Sequence, residues 1–310
     1  MDIKDYAKNL SQCVREIIDF DAEVSVVPVI KNNGVEKTAI VIREENVKIS
    51  PTIYLDDYYK NYADANNLEY TAKQIISTYN RWKIEGEIDV KKYTQFDSVK
   101  DDIIFKLVNK ERNEARLKDA PTVDWLDLII CFYIRTSDER FGEGVILVNN
   151  ELLKLWGISV AELYGIALTN TPRILPEKKM TFLDIFKRMS GFDEQDFCQE
   201  FMEFGENSGM FILSNPSEIF GASVIVYSKL IEEIAEEFED DLVIIPSSVH
   251  EIIVVLRNYA NDYIDDVCDM IEYVNSTCVS DEDVLANHAY YYRREDRRIL
   301  TCPRVYDGLN

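Results

Sequence analysis

The sequence predicts an α+β fold, with antiparallel sheets built from strand–turn–strand–helix units and helices packed on one face. Three observations predict it. Hydrophobic residues alternate between the three- and four-residue spacing of a helix face and dense Val/Ile runs of strand type. The extended runs come in pairs separated by short polar segments. That implies hairpins, and hence antiparallel pairing, because parallel neighbours need long crossovers. Finally, the order strand, polar turn, strand, helix recurs near residues 24–62, 125–168 and 210–238. Such a recurrence marks either a structural repeat or the ordinary habit of α+β chains.

The elements follow in chain order. Residues 1–20 read as an amphipathic helix, with Ile3, Tyr6, Leu10, Val14 and Ile17 on one face and Lys4, Asp5, Lys8 and Arg15 on the other. Val24–Ile30 and Lys37–Ile42 read as strands. Asn32-Asn33-Gly34 between them supplies a type I′ hairpin turn, with positive φ at Gly34. Val47–Tyr54 is extended, and Leu55–Tyr62 and Thr71–Arg81 are helical. The weakly patterned polar run Lys83–Asp102 separates an N-terminal α+β region, 1–95, from a C-terminal one, 96–310, or joins them within one continuous domain.

Ile103–Arg116 reads as a helix, closed by Pro121. Trp125–Ile134 and Gly144–Val148 read as strands around the polar turn Thr136–Gly142. Glu151–Trp156 and Ser159–Leu168 are short helices broken at Gly157, and Thr181–Phe204 is helical with an interruption at Gly191. Met210–Ser214 and Ala222–Val226 form a strand–turn–strand unit around Asn215 and Pro216, followed by the helix Leu230–Phe238. Leu242–Ile245 and Ile252–Leu256 are strands around the loop Pro246–Glu251. In the helix Tyr259–Val274, Tyr263, Val267, Ile271 and Val274 share a face. Ser280 and Asp283 have the spacing of a capping box opening a short helix. Tyr290–Tyr292 and Arg298–Leu300 pair across the charged turn Arg293–Arg297.

Composition narrows the function. The 310 residues are 46% hydrophobic and 29% charged, an ordinary globular balance. Lys and Arg total 34 against 57 Asp and Glu, a net charge of −23. A protein that grips nucleic acid directly needs a basic footprint, so that partner is not expected. An acidic surface instead suits another protein with a basic face. The six cysteines, Cys13, Cys131, Cys198, Cys268, Cys278 and Cys302, are scattered, which favours reduced thiols over a disulfide framework. The first residues, MDIKDYAKNL, carry charges where a signal peptide is apolar. The longest apolar stretch, Leu128–Ile134, falls far short of the roughly 18 residues a spanning helix requires. A cytoplasmic protein with no membrane association is the expectation.

Several segments carry a family resemblance. They are ISPTIYLDDYY at Ile49–Tyr59, LVNKERN at Leu107–Asn113, PTVDWLDL at Pro121–Leu128, LSNPSEIFGAS at Leu213–Ser223, IIPSSVHE at Ile244–Glu251 and DVLANHAYYY at Asp283–Tyr292. With the NNG hairpin, they resemble an uncharacterised family of Gram-positive anaerobic bacteria, domain-of-unknown-function family 5688, over roughly residues 20–300. The second half is also distantly similar to another uncharacterised bacillar family. The resemblance implies a bacterial cytoplasmic protein of α+β fold. It implies no activity and no catalytic residue.

The candidate functional loop is Ser247, Ser248, His250 and Glu251. It holds the residue types of a nucleophilic triad within five positions. A working triad draws its members from separate loops, and no GxSxG elbow is present, so a structural or recognition turn competes with a hydrolytic site. Neither of the two histidines, His250 and His288, belongs to a paired zinc motif; His288 reads as a partly buried neighbour of the tyrosines. Asp56 and Asp57 suit a hard cation or the first turn of a helix. Gly142 and Gly144 lack the setting of a phosphate loop, and no cofactor is expected.

Two charge clusters remain: Glu232, Glu233, Glu236, Glu237, Glu239, Asp240 and Asp241, and Arg293, Arg294, Arg297 and Arg298. Each suits a solvated face, and the acidic one also suits steering of a basic partner. Eighteen tyrosines, grouped at Tyr54, Tyr58, Tyr59 and Tyr62 and at Tyr290–Tyr292, fit packing or a protein interface. The leading expectation is a non-catalytic protein that binds another macromolecule. A hydrolase centred on the PSSVHE loop and an acidic nucleic-acid mimic are the alternatives.

Overall fold

The computed structural model describes residues 1–45, 47–65, 67–85, 91–138, 142–181, 183–184, 209–260 and 264–302. The strand pairs whose register is described are all antiparallel, and the fold is α+β. The chain forms two compact units, Met1–Gln95 with Thr136–Gly144, and Phe96–Arg135 with Val145–Asn310.

In the first unit, α1 (Ile3–Ile17) starts where the Asp2 carboxylate accepts the Asp5 N–H at 2.8 Å. Strands β1 (Glu23–Ile30) and β2 (Glu36–Arg43) form the expected hairpin. Asn33 and Gly34 both take positive φ, 59° and 70°, and the Val35 N–H donates to Asn32 O at 3.3 Å. That is type I′ geometry, whose twist matches the flanking strands. The extended run after the hairpin breaks at Ser50-Pro51 into β3 (Val47–Ile49) and β4 (Thr52–Tyr54). β4 joins β2, whereas β3 pairs with β5 (Ile84–Glu85). Helices α2 (Asp56–Ala65), α3 (Leu68–Trp82) and α4 (Lys91–Thr94) complete the unit. Its core is apolar: Tyr6, Leu10 and Val14 of α1 meet Ile40 and Ile42 of β2 and Ile75 and Tyr79 of α3.

The second unit begins with α5 (Phe96–Val99), β6 (Ile103–Asn109) and α6 (Lys110–Leu117). The expectation of one helix over Ile103–Arg116 is therefore wrong in its first half. Ile103, Ile104, Phe105, Lys106, Leu107 and Val108 are all buried, so both strand faces are covered. A strand covered on both sides shows no alternation and looks like a buried helix in sequence. Its outer edge is closed by hydroxyls: the Phe105 N–H donates to Thr171 Oγ1 and the Leu107 N–H to Ser223 Oγ, each at 3.1 Å.

The expected strand Trp125–Ile134 is a hairpin. It comprises β7 (Thr122–Trp125) and β8 (Leu128–Asp138), turning at Leu126-Asp127 with Leu126 at φ 53°. β8 pairs with β6, β7 and β9 (Gly142–Leu147). Helices α7 (Asn150–Trp156) and α8 (Val160–Ile174) meet at left-handed Gly157.

A six-stranded sheet follows, ordered β10-β11-β13-β12-β14-β15. Its strands are β10 (Lys178–Thr181), β11 (Met210–Ser214), β12 (Leu242–Ser248), β13 (Glu251–Leu256), β14 (Tyr290–Arg293) and β15 (Arg298–Thr301). The helix expected over Thr181–Phe204 lies almost wholly outside the described residues; Thr181 itself ends β10. Ala222–Val226, expected as a strand, is a helical turn, Gly221–Ser223, running into α9 (Val224–Tyr227). Asn215 explains the change: its side chain donates to Ile219 O and accepts the Ser217 N–H, coiling the chain back on itself. The third strand–turn–strand recurrence thus fails. Helices α10 (Leu230–Glu237), α11 (Arg257–Ala260) and α12 (Ile264–Thr277) are described, the last two on either side of 261–263. Ser280 opens no helix: the Asp283 N–H closes a turn on Ser280 O at 2.8 Å.

Candidate functional site

The loop Ser247–Glu251 is shorter than its sequence suggests. β12 runs through Ser248, β13 starts at Glu251, and Val249-His250 make the turn. Ser247 Oγ donates to Glu251 Oε1 at 3.1 Å, and the His250 N–H donates to Ser248 Oγ at 3.0 Å. His250 Nε2 lies 3.3 Å from Asp283 Oδ1. Neither serine hydroxyl bonds the imidazole, so the three residue types are adjacent without forming a proton-relay chain.

The turn is clamped from both sides. The Val249 N–H donates to Asp283 O at 2.8 Å, and Ser214 Oγ donates to His250 O at 2.7 Å. Gly221 packs so closely that a Cβ there would stand 2.1 Å from both His250 O and Ser214 Oγ. His250 Nδ1 is buried and has no hydrogen-bond partner among the described residues.

His288 belongs to a different cluster. Its Nε2 lies 2.8 Å from Asp127 Oδ2, and Tyr290 donates its hydroxyl to Asp127 Oδ1 at 2.9 Å. His288 also packs edge-on against Tyr290, as its sequence context suggests. Burial favours the neutral Asp127 carboxyl, but the hydrogen bonds and charge of His288, with Tyr290, outweigh it and hold the group below the usual carboxylate range. The two histidines thus answer to different carboxylates. Among the described residues no three His, Cys, Asp or Glu side chains group to hold a metal ion. Asp56 and Asp57 occupy the first turn of α2, where negative charge suits the helix dipole.

The acidic and basic clusters, separate in sequence, find each other. Arg297 reaches Glu232 at 2.7 Å and Glu236 at 3.5 Å, Arg294 lies 3.9 Å from Glu236, and Arg257 lies 3.4 Å from Asp241. Asp241 also accepts the Arg294 N–H at 2.8 Å and the Tyr291 hydroxyl. Burial and that carboxylate push the Tyr291 phenol up to about 12. Of the grouped tyrosines, Tyr290 and Tyr292 are buried, and Tyr58 and Tyr59 pack against the first unit's core.

One residue escaped the sequence reading altogether. Lys106, in mid-strand on β6, is only 7% exposed. It stands opposite Cys131 in the β6–β8 register, within the face formed by Ile104, Val108, Cys131 and Tyr133. Among the described residues no carboxylate comes within ion-pair distance of its amine, which sits 4.7 Å from the centre of the Phe220 ring. Burial, reinforced by nearby Arg116, pulls its pKa down to about 8 despite the opposing fields of Cys131, Asp283 and Glu282. The only sequence signal was a lysine inside an otherwise apolar run, Ile103–Val108.

The chain matches the model of a family of unknown function, DUF5688, over residues 3–294. It belongs to that family. No curated protein and no solved structure matches it.

Proposed function

We propose that this member of a family of unknown function is a non-catalytic binding protein whose partner is a protein with an apolar anchor and a basic rim. The observation that carries the reading is the solvent face of α12. Met270, Tyr273 and Val274, at helical spacing, are 48%, 69% and 38% exposed. Asp266, Asp269 and Glu272 are exposed around them. The opposite face, with Cys268 and Ile271, is already buried against Val243 and Ala289, so packing does not account for the outer apolar residues. Large apolar side chains ringed by charge are the usual anatomy of a protein contact. The net charge of −23 favours a basic partner.

The hydrolase alternative has weaker support, because Ser247 Oγ bonds Glu251 and Ser248 Oγ accepts the backbone N–H of His250, and neither hydroxyl bonds the imidazole. The nucleic-acid mimic also has weaker support, because Glu232 and Glu236 face Arg297.

Affinity capture from the native cell with wild-type and Tyr273→Glu baits tests the proposal. A protein held by the wild type, lost with the variant, and released as salt rises from about 0.05 to 0.5 M supports it. An identical captured set with both baits, indifferent to salt, overturns it.

A further inference from the structure

We infer that Lys106 is a reactive amine that captures a small 2-oxo acid as an imine, with Arg116 receiving the carboxylate. The inference does not rest on the binding reading of α12, and either can fail alone. It begins from the cost of the residue. An ammonium inside an apolar sheet face loses most of its hydration, and structural lysines recover that loss by pairing with a carboxylate. Lys106 has no such pair among the described residues; its amine sits over the Phe220 ring, and its strand position stands opposite Cys131 of β8.

A second observation points to a ligand. Arg116 donates from Nη2 to the Tyr133 hydroxyl at 3.1 Å, while its buried Nη1 has no hydrogen-bond partner among the described residues. A guanidinium with one arm occupied and one buried arm open suits an incoming carboxylate. The cover is also built under strain. Phe220 takes φ 56°, a left-handed conformation unfavourable to an aromatic residue, and lies 5.7 Å from the Tyr133 ring while covering the amine. Such conformations persist where surrounding structure enforces them, often at functional sites. Here the enforcing contacts are the Asn215 hydrogen bonds and the close packing of Gly221 on His250 O.

The loop that carries Phe220 is tied to distant parts of the chain: Ser214 Oγ donates to His250 O, and His250 Nε2 lies 3.3 Å from Asp283 Oδ1. Asn109 donates to Leu285 O at 3.1 Å and ties the end of β6 to the segment that follows Asp283.

The chemistry balances without a further reactant. The Lys106 nitrogen lone pair adds to the carbonyl carbon, and the carbonyl oxygen takes a proton to give a carbinolamine. The hydroxyl then takes a second proton, the nitrogen lone pair forms the C=N bond as the C–O bond breaks and water leaves, and over the two steps the nitrogen gives up the two protons that the oxygen gains. Burial pushes both the Tyr133 hydroxyl and the Cys131 thiol above their usual ranges, so both stay protonated and able to donate at neutral pH. Burial keeps part of the lysine population uncharged, as a nucleophilic amine must be.

The test uses the full chain, pyruvate and sodium borohydride, which delivers hydride to the imine carbon and fixes the adduct for peptide mapping by mass spectrometry. Lys106 should be modified at least about tenfold faster than exposed Lys60 and Lys110, at a rate that rises as pH passes about 8. Lys106→Met, checked for folding by circular dichroism, should lose the fast phase. Arg116→Met should slow labelling by pyruvate about tenfold and leave labelling by neutral acetaldehyde unchanged. Modification of exposed lysines with Lys106 untouched overturns the reactive amine. Equal behaviour of Arg116→Met towards both probes overturns the carboxylate assignment.

Discussion

Two antiparallel strand pairs in this molecule each have a buried face, and they treat it differently. Beneath α1, β1 and β2 present Val24, Ile40 and Ile42 to Tyr6, Leu10 and Val14. The buried polar groups there are phenols, Tyr6 and Tyr79, while the charged ones stay at the core's margin, where Lys83 and the Tyr79 hydroxyl both donate to Glu44, at 2.8 and 2.9 Å. In the second unit, the face shared by β6 and β8 includes a lysine, a thiol and a phenol among its aliphatic residues. The first arrangement maximises buried apolar area. The second gives up stability to keep ionisable groups dry, and that exchange is characteristic of sites rather than of scaffolds.

The largest way to break the contrast is to disturb the cover of the second face. Gly221→Ala places a methyl 2.1 Å from His250 O and Ser214 Oγ, and the backbone must move to admit it. A loss on the order of 4 kcal/mol is expected in a urea titration, at the upper end for a single substitution. A loss below about 1 kcal/mol would mean that the clamp between the Asn215 loop and the Val249-His250 turn yields easily.

The apolar face should respond by volume alone. Leu10 is fully buried, so Leu10→Ala removes packing and leaves a cavity, costing about 3 kcal/mol with little dependence on pH. The same titration repeated at acid and alkaline pH checks both parts.

The buried amine should behave in the opposite sense. Lys106 has its pKa lowered from 10.5 to about 8 in the fold. Between those values the unfolded chain holds the proton more tightly, so stability rises with pH through that window; below about 8 the full penalty applies. Arg116 on α6, Cys131 and Tyr133 on β8, and Asp283 and Glu282 set the local field. Lys106→Met should therefore stabilise the protein by roughly 2–3 kcal/mol at neutral pH. The gain should vanish above about pH 10.5, where both states are neutral. Equal stability of the two chains at every pH would show that the amine finds solvent or a partner.

How far the sequence reached follows the same division. The first face was legible because its residues follow a single period: Tyr6, Leu10 and Val14 on the helix, and Val/Ile runs around Asn33-Gly34 in the hairpin. The second was not, because β6 is covered on both sides and its continuous apolar run fits helix and strand equally. Taken as a helix residue, Lys106 would reach solvent along its own stem, and nothing flagged it. The PSSVHE turn was visible as a cluster of residue types. Its hydrogen bonds were not, because Asp283 and Ser214 reach it from distant parts of the chain. The pairing of the Glu and Arg clusters was hidden for the same reason: 61 positions separate Glu236 from Arg297.

The smallest effect tests the legible side at its turn. Asn33 and Gly34 both hold positive φ, and the turn is closed by the Val35 N–H on Asn32 O and the Lys31 N–H on Val35 O, at 3.3 and 2.7 Å. Gly34→Val forces a β-branched side chain into a left-handed conformation at φ 70°, for an expected loss of roughly 1–2 kcal/mol. Gly34→Asn should cost well under 1 kcal/mol, because asparagine tolerates that region. The difference between the two substitutions isolates backbone strain from the loss of glycine itself. If Val and Asn destabilise equally in a denaturant titration, the positive φ at Gly34 is not what sets the β1–β2 register.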